Sequence, residues 1–506
     1  MAEQKKARID PALILLSGVS VLSFLLFYFS DFLRPGGAYK LGWYETWADQ
    51  GAYMDMINGI RQGTLGHFNY PILYPLLGFL GSFFTKNDPL VLVNLLCFVS
   101  VIVLSFKVFE KYFSREASLV TALMLVMFLT GMFTIPWTTS LTTLFLAYVF
   151  YAFACKKFDL VHYILAGSCA GFAFATRIGD FLPVGAAAAV YFLSGFMKER
   201  KLAPVIWGLV SCAVIIAADL AVNYAFSGNL LGNYLANVGK AGFNVEAIPY
   251  KFYGYFIDPL KFHNENHPFS IPLLRHAFLF VLAPLGIYFL LREKKMRPEF
   301  YFAGAVLAGW AVIYLPFVAV TGFTLRNLSL HYSKMLFPIL AFLSIYAIKR
   351  ALESGKAKPV IIYFSALVLI TGIFLHEFKF EQVNIRGRAE LLEGQERKPW
   401  DGWKSSETQK PGMECVVELE KQKTINRVII ESRGKGETYP AEIAVYTRGA
   451  GSEWKRIQII GFSSKGEVYD IIFEAMSVKA VKFVIEKENP GRLWAINNIY
   501  VFSGKH

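Results

Sequence analysis

The sequence predicts a polytopic α-helical membrane domain followed by an all-β sandwich, and two observations carry that prediction. Of the 506 residues, 55% are hydrophobic and 16% aromatic, and this balance recurs along the first three quarters of the chain as apolar runs long enough to cross a bilayer. Past about residue 399 the pattern changes to short β-rich segments separated by Gly, Pro, Ser and charge clusters, the signature of strands. The division is therefore 1–380 for the membrane domain, 381–398 for a polar linker and 399–506 for the sandwich.

Apolar stretches run over 11–33, 88–106, 117–134, 140–155, 160–176, 181–196, 202–223, 276–292, 299–320, 335–350 and 359–377, which gives about eleven spanning helices. A further piece at 70–84 is rich in Pro and Gly; it is too short to cross and is expected at the outer surface. With that assignment the cationic clusters around Lys107 and Arg115, Lys156 and Lys157, Lys198 and Lys201, Arg292 to Arg297, and Lys349 to Lys358 all fall on the side of the N-terminus. Short basic loops mark the cytoplasmic face. The short loops suggest a prokaryotic plasma (inner) membrane, with the N-terminus cytoplasmic and the C-terminal domain extracytoplasmic.

The net charge of +13 is explained by these loops, so no nucleic-acid partner is expected. Lys5, Lys6 and Arg8 precede the first apolar run without a small-residue cleavage pattern after it, which reads as a retained helix rather than a cleaved signal. Cys97, Cys155, Cys169 and Cys212 lie in or beside spans and Cys415 stands alone in the C-terminal region. That distribution implies neither a disulfide framework nor a thiolate metal site.

On the outer side lie 34–87, 224–275, 321–334 and everything past 378. Long outer loops are where a site is sought. The first contains Asp49-Gln50-Gly51-Ala52-Tyr53-Met54-Asp55-Met56-Ile57-Asn58-Gly59-Ile60, in which Ala52, Met56, Ile57 and Ile60 share a helical face. An amphipathic helix lying flat on the membrane, with Asp49 near its start, is expected. Thr46 and Asp49 also match a capping box, so the carboxylate has a purely structural reading as well.

An Asp followed four residues on by Tyr, then an amphipathic stretch ending in Gly, then Tyr-Pro segments, resembles the first outer loop of C-type (GT-C) membrane glycosyltransferases. The matching residues are Asp49, Tyr53, Gly63, Tyr70-Pro71 and Tyr74-Pro75. The resemblance implies a sugar taken from a polyprenyl-phosphate donor on the outer face, with Asp49 as general base toward an acceptor hydroxyl. Lys334-Met335-Leu336-Phe337-Pro338 is similar to that family's Arg-Tyr-Leu-Leu-Pro segment. It implies a phosphate-binding cation, without the bidentate fork of Arg.

Arg177, at the outer end of the fifth helix, and Arg326 are further candidates for the donor phosphate. Each cation has a bland alternative: Lys334 as an interfacial snorkelling lysine, and Arg177 as the ion-pair partner of Asp180. Tyr53, Trp47, His331, Tyr332 and Glu45 are candidates for acceptor or sugar contacts, although aromatic residues gather at membrane interfaces regardless of ligand. The outer turn Thr134-Ile135-Pro136-Trp137-Thr138-Thr139 holds no carboxylate, where metal-using members of the family place a second acid. No cofactor or metal is therefore expected, and a divalent ion is left open only because Glu45 or Asp55 could contribute ligands. His263 and His267 flank a polar loop in which solvated histidines are the simpler reading.

In the C-terminal region, Trp400-Asp401-Gly402-Trp403, Thr424-Ile425-Asn426-Arg427-Val428, Tyr439-Pro440-Ala441-Glu442-Ile443 and Trp494-Ala495-Ile496-Asn497-Asn498 follow the order seen in discoidin-like (coagulation factor C-type, galactose-binding-like) domains. The resemblance implies a jelly roll that binds carbohydrate or lipid, although fold does not fix ligand. Trp400, Trp403 and Arg433 are the candidate contacts, and Trp454 and Trp494 are expected in the core.

The function expected from these readings is transfer of a sugar from a polyprenyl-phosphate donor to an extracytoplasmic glycan, lipid or protein acceptor, with inversion at the anomeric carbon. The rival is a transporter or flippase of a lipid-linked sugar with a glycan-binding outer domain, for which internal repeats or paired broken helices would be the signal. A scaffold anchored in the membrane is the third reading; eleven helices exceed what anchoring needs.

Overall fold

Runs of Leu, Val, Ile and Phe that cannot be solvated satisfy their backbone groups by coiling on themselves, and helices accordingly fill the first part of the chain. The structure, a computed structural model, describes residues 10–29, 48–63, 70–85, 88–231, 248, 277–316, 332–354, 380–383, 389–390, 403–431, 440–451, 453–461, 468–496 and 498–502. These residues belong to two compact units, one helical and one of β-sheet.

The helical unit contains α1 (Pro11–Phe29), α2 (Ala48–Gln62), α3 (Leu73–Gly81), α4 (Val91–Tyr112), α5 (Arg115–Thr134), α6 (Thr139–Ala154), α7 (Leu160–Thr176), α8 (Phe181–Glu199), α9 (Leu202–Ser227), α10 (Ala277–Arg292), α11 (Arg297–Tyr314) and α12 (Phe337–Ser354). Among the described residues, six helices are long and apolar enough to cross a membrane, and shorter apolar helices occupy Thr139–Ala154, Leu160–Thr176 and Leu282–Arg292. Every stretch expected to span has a helix except 359–377, which lies outside the described residues. The Pro- and Gly-rich piece forms only the nine-residue α3, about 14 Å long and too short to cross.

The charged helix ends gather at one end of this bundle. Arg115 bonds to Asp10, and Lys107 Nζ lies 2.7 Å from Glu110. Tyr112 Oη donates to Glu299 at 3.0 Å, Lys349 Nζ donates to the Tyr112 carbonyl at 2.8 Å, and Arg350 pairs with Glu293. These contacts join the start of α1, the end of α4, the starts of α5 and α11 and the end of α12. Several of the loops that the sequence assigns to one side thus meet in space. The backbone hydrogen bond of Ala12, followed by the nearby Arg115 and Lys107 charges, holds the Asp10 carboxyl below its ordinary range despite partial desolvation.

Two helices pack with their backbones in contact. A Cβ at Gly167 of α7 would lie 1.8 Å from the carbonyl oxygen of Gly208 in α9, and one at Gly171 would lie 2.9 Å from that of Cys212. Small residues let helices approach this closely in an apolar medium. Gly167→Val is expected to separate the pair and lower the melting temperature of the purified protein by several degrees. Gly18→Ala, at a site where an added Cβ meets nothing within 4 Å, is expected to leave it unchanged or raise it slightly, as thermal denaturation would read.

The β unit is built from β1 (Phe380–Val383), β2 (Ala389–Glu390), β3 (Trp403–Thr408), β4 (Glu414–Glu431), β5 (Glu442–Arg448), β6 (Lys455–Gly461), β7 (Val468–Lys487), β8 (Leu493–Ile496) and β9 (Asn498–Phe502). A seven-stranded sheet runs in the order β1-β9-β4-β7-β5-β6 with β2 beside β4, and β3 and β8 form a second, two-stranded sheet. The described strand pairs are antiparallel.

In β5, Ile443, Ala444 and Val445 are all buried, as for a strand covered on both faces, and alternation appears only toward its end, where Thr447 is buried while Tyr446 and Arg448 are partly so. The core joins Val417, Val428, Val445, Val481 and Phe483 of the large sheet to Trp494 and Ile496 of the small one. The small sheet is fastened by Ser405, whose Oγ accepts from the Trp494 amide at 2.8 Å.

Two expectations are corrected here. Part of the stretch read as a linker is strand, because Phe380–Val383 pairs with β9 and Ala389–Glu390 pairs with β4. Short charged edge strands carry little of the apolar signal of central ones. Trp454 is not core; it is partly exposed, with the Arg448 guanidinium 4.6 Å and the Lys482 ammonium 5.1 Å from its ring, whereas Trp494 is buried as expected.

Cys415 is fully buried in this core, and burial pushes its thiol up to about 12. Because the thiolate is the reactive form, alkylation at pH 8 is expected to spare Cys415 in the folded protein and to modify it only after denaturation. Peptide mass spectrometry reads the difference.

Candidate functional site

At the end of the bundle away from the Asp10 and Arg350 clusters, buried polar side chains converge on the turn between α5 and α6. α5 stops at Thr134, and Ile135 leaves it in extended conformation, which places Pro136 in the turn. A helix ending this way exposes its last carbonyls, and Pro136 has no N–H to help close the turn. Side chains satisfy them instead. Thr134 Oγ1 donates to the Gly131 carbonyl at 3.1 Å, Lys334 Nζ to that of Met132 at 3.1 Å, and Gln50 Nε2 to that of Pro136 at 2.8 Å.

Lys334 lies in the 3-10 turn that leads into α12 and is fully buried. Its ammonium also donates to Ser140 Oγ at 2.7 Å, in the first turn of α6, and lies 4.7 Å from the Phe133 ring centre. A cation at the C-terminal end of α5 is favoured by the helix dipole. The snorkelling geometry is not what the structure has, since the side chain points into protein.

Beside it sits a second cluster. Asp180, fully buried at the entry to α8, accepts from Thr142 Oγ1 at 2.7 Å through one oxygen and from Tyr314 Oη through the other. The Arg177 guanidinium, where α7 ends, lies 4.1 Å from the ring of Tyr332 and 5.7 Å from that of Tyr314. Those two rings stack at 5.1 Å, and Trp310 Nε1 fixes Tyr332 by donating to its carbonyl at 2.8 Å. Cation–π contact with two aromatic rings holds the guanidinium in place, and its charge also acts on the neighbouring Asp180 carboxylate.

Asp49 is the second residue of α2, next to Gln50, so the helix carrying it is tied to the same turn as Lys334; its own side chain lies outside the described atoms. Further along α2, Tyr53 and Ile57 are buried, and the helix rests on α3, where a Cβ at Gly78 would lie 2.5 Å from Ile57 Cδ1. Of the expected apolar face, Met56 and Ile57 are buried within the protein, while Ala52 and Ile60 are partly exposed. Tyr53 meets Tyr70 and Tyr74 edge-on at 5.2 and 5.3 Å, and Tyr74 Oη donates to Asn94 at 2.8 Å. With its ring packed this way, Tyr53 supports α2 rather than presenting a face to a ligand.

Of the residues singled out in the sequence, the structure brings together Arg177, Tyr332, Lys334 and the start of the Asp49 helix. Glu45, Trp47, Arg326 and His331 lie outside the described residues. Sequence reasoning missed Gln50, Ser140, Thr142 and Tyr314, polar residues placed where helices begin or end. As to a metal, the α5–α6 turn offers no carboxylate, and among the described residues there is no group of three His, Cys, Asp or Glu that could hold one.

Comparison with known proteins bears on the β unit. Residues 381–499 match the family model of the F5/8 type C domain. The C-terminal part of the chain is therefore similar to F5/8 type C, discoidin-like domains. A search of curated proteins finds no match.

Among solved structures, a CBM32 module from a family 31 glycoside hydrolase of Clostridium perfringens is similar at 17% identity, covering 23% of this chain and 93% of its own, with a TM-score of 0.21. A second C. perfringens module, CpGH89CBM32-5 in complex with GalNAc-β-1,3-galactose, is 14% identical, covering 24% of this chain and 100% of its own, with a TM-score of 0.21. The family 32 module of C. perfringens NanJ, in complex with galactose, is 11% identical over 24% of this chain and 98% of its own, with a TM-score of 0.20.

Proposed function

We propose that the protein is an integral-membrane glycosyltransferase that moves a sugar from a polyprenyl-phosphate donor to an extracytoplasmic glycan, lipid or protein acceptor. The observation that carries this reading is the convergence of the Asp49 helix, Lys334 and the α5–α6 turn at the bundle end opposite the Asp10, Glu293 and Glu299 clusters. Basic loops face the cytoplasm; on that rule the converged end faces outward, where a lipid-linked donor meets its acceptor.

In the proposed reaction the Asp49 carboxylate takes the proton of an acceptor hydroxyl. The acceptor oxygen bonds to the anomeric carbon as the bond from that carbon to the phosphate oxygen breaks, and the electron pair leaves with polyprenyl phosphate. One displacement inverts the anomeric centre. Arg177 and Lys334 supply positive charge where phosphate charge develops. Arg177, whose planar guanidinium suits phosphate oxygens, is the proposed direct contact, and Lys334, which donates to Met132 and Ser140, contributes a fixed charge behind the turn.

The F5/8 type C domain holds the acceptor in this account, since similar modules were solved with GalNAc-β-1,3-galactose and with galactose. Proteoliposomes with a labelled donor in one leaflet distinguish transferase from transporter. A transferase yields a new glycoside and free lipid phosphate. Movement of the intact donor between leaflets, with no glycoside formed, sinks the proposal.

A further inference from the structure

Gln50 is almost fully buried, adjoins the proposed base in sequence, and spends its amide on a partner 86 residues away in the chain, the carbonyl of Pro136. An Ala there would leave that carbonyl buried and unsatisfied. The same turn is gripped on its other side by Lys334, which reaches Met132 at the end of α5 and Ser140 at the start of α6. Neither partner of the turn contacts it through a flexible surface group; both donate from buried positions.

The neighbouring carbonyls are already committed. Those of Trp137 and Thr138 accept from the amides of Ser140 and Leu141 at 2.9 and 3.1 Å, and that of Gly131 accepts from Thr134. The turn is thereby held at the carbonyls of Gly131, Met132, Pro136, Trp137 and Thr138, and Pro136 stiffens it further through its fixed φ. α2 meets this rigid element at its first turn, where Asp49 sits.

We propose that Gln50 is a positioning residue, and that the α5–α6 turn is a brace setting the distance between the Asp49 base and the Lys334 charge. The assignment of a catalytic consequence rests on reading Asp49 as the base. With the Gln50 link cut, α2 keeps its packing on α3 through Ile57 and Tyr53, but its first turn is released. Misplacing a catalytic group by about 1 Å costs on the order of 100-fold in rate.

The test uses the full-length protein in nanodiscs with Gln50→Ala, Gln50→Glu and, in parallel, Asp49→Asn. Gln50→Ala is expected to lower kcat by roughly 100-fold while leaving the KM for donor within about 2-fold, because uniform donor binding is untouched. Gln50→Glu can donate to Pro136 only when protonated, so its activity relative to wild type should climb as pH falls. A residue that merely stabilised the fold would give a flat ratio.

Amide hydrogen exchange of α2 is followed alongside and needs no activity. Faster exchange of the first turn in Gln50→Ala, with α3 and α4 unchanged, is the expected result. Inactive Asp49→Asn beside Gln50→Ala at wild-type kcat and exchange overturns the positioning role alone. Active Asp49→Asn overturns the base, and the exchange of α2 then decides whether the brace exists without it.

Discussion

Asp49→Asn is expected to lower sugar transfer by about 10²–10⁴-fold, the usual worth of a positioned general base, with the protein still folded and donor affinity nearly unchanged. The substitution keeps size and shape at the second position of α2 and removes only the capacity to accept a proton. Under the capping reading the result differs. In that box Thr46 is the cap and Asp49 reaches back to it with a side-chain oxygen that Asn retains, so a structural Asp49 would tolerate the change with a loss of well under 10-fold. The size of the effect therefore separates the two readings that the Thr46-x-x-Asp49 pattern leaves open.

Lys334→Met carries the second large effect. The methionine fills a similar volume and retains an apolar stem, but the Met132 carbonyl and Ser140 hydroxyl lose their donor. Each buried unsatisfied group costs about 1–3 kcal/mol, while removal of a fully buried ammonium relieves a desolvation penalty of several kcal/mol. The two contributions oppose each other, so the variant is expected to fold with a melting temperature within a few degrees of wild type. Its transfer activity should nevertheless fall, by up to roughly 10²–10³-fold, the upper end being that of a lost preorganised electrostatic contact, because both the fixed charge behind the turn and its grip on Met132 and Ser140 are removed. A large drop in melting temperature with kcat intact in the surviving protein would make Lys334 a structural clamp and nothing more.

How far the sequence reveals this site depends on how local each signal is. The apolar runs are self-contained, and α4 to α9 lie close to their expected limits. The burial of Met56 and Ile57 was readable because they fall on the apolar face that helical spacing sets out for α2, yet what they meet was not, since Gly78 of α3 comes from another segment. Gln50 and Pro136 are separated by 86 positions, and Lys334 and Met132 by 202. Nothing near either residue announces such a bond. Arg177 was recognisable as a cation at a helix end, but its hold on Tyr332 and Tyr314 depends on α11 and α12 packing nearby.

In the β unit, Trp494 lies in a short strand whose residues Trp494, Ala495 and Ile496 are all buried, and it was legible as core. Trp454 stands beside β6 under two cations from neighbouring strands, an arrangement that only cross-strand register creates. The strands Phe380–Val383 and Ala389–Glu390 read as linker because their stability comes from pairing with β9 and β4 rather than from their own composition.

The most direct measurement is sugar transfer by the purified full-length protein in nanodiscs, with a panel of polyprenyl-phosphate sugars, EDTA present, and both products quantified. One equivalent of lipid phosphate for each glycoside formed, with the anomeric configuration inverted, is the predicted result. Donor that binds and is recovered intact, with no lipid phosphate released from any member of the panel, would contradict the account.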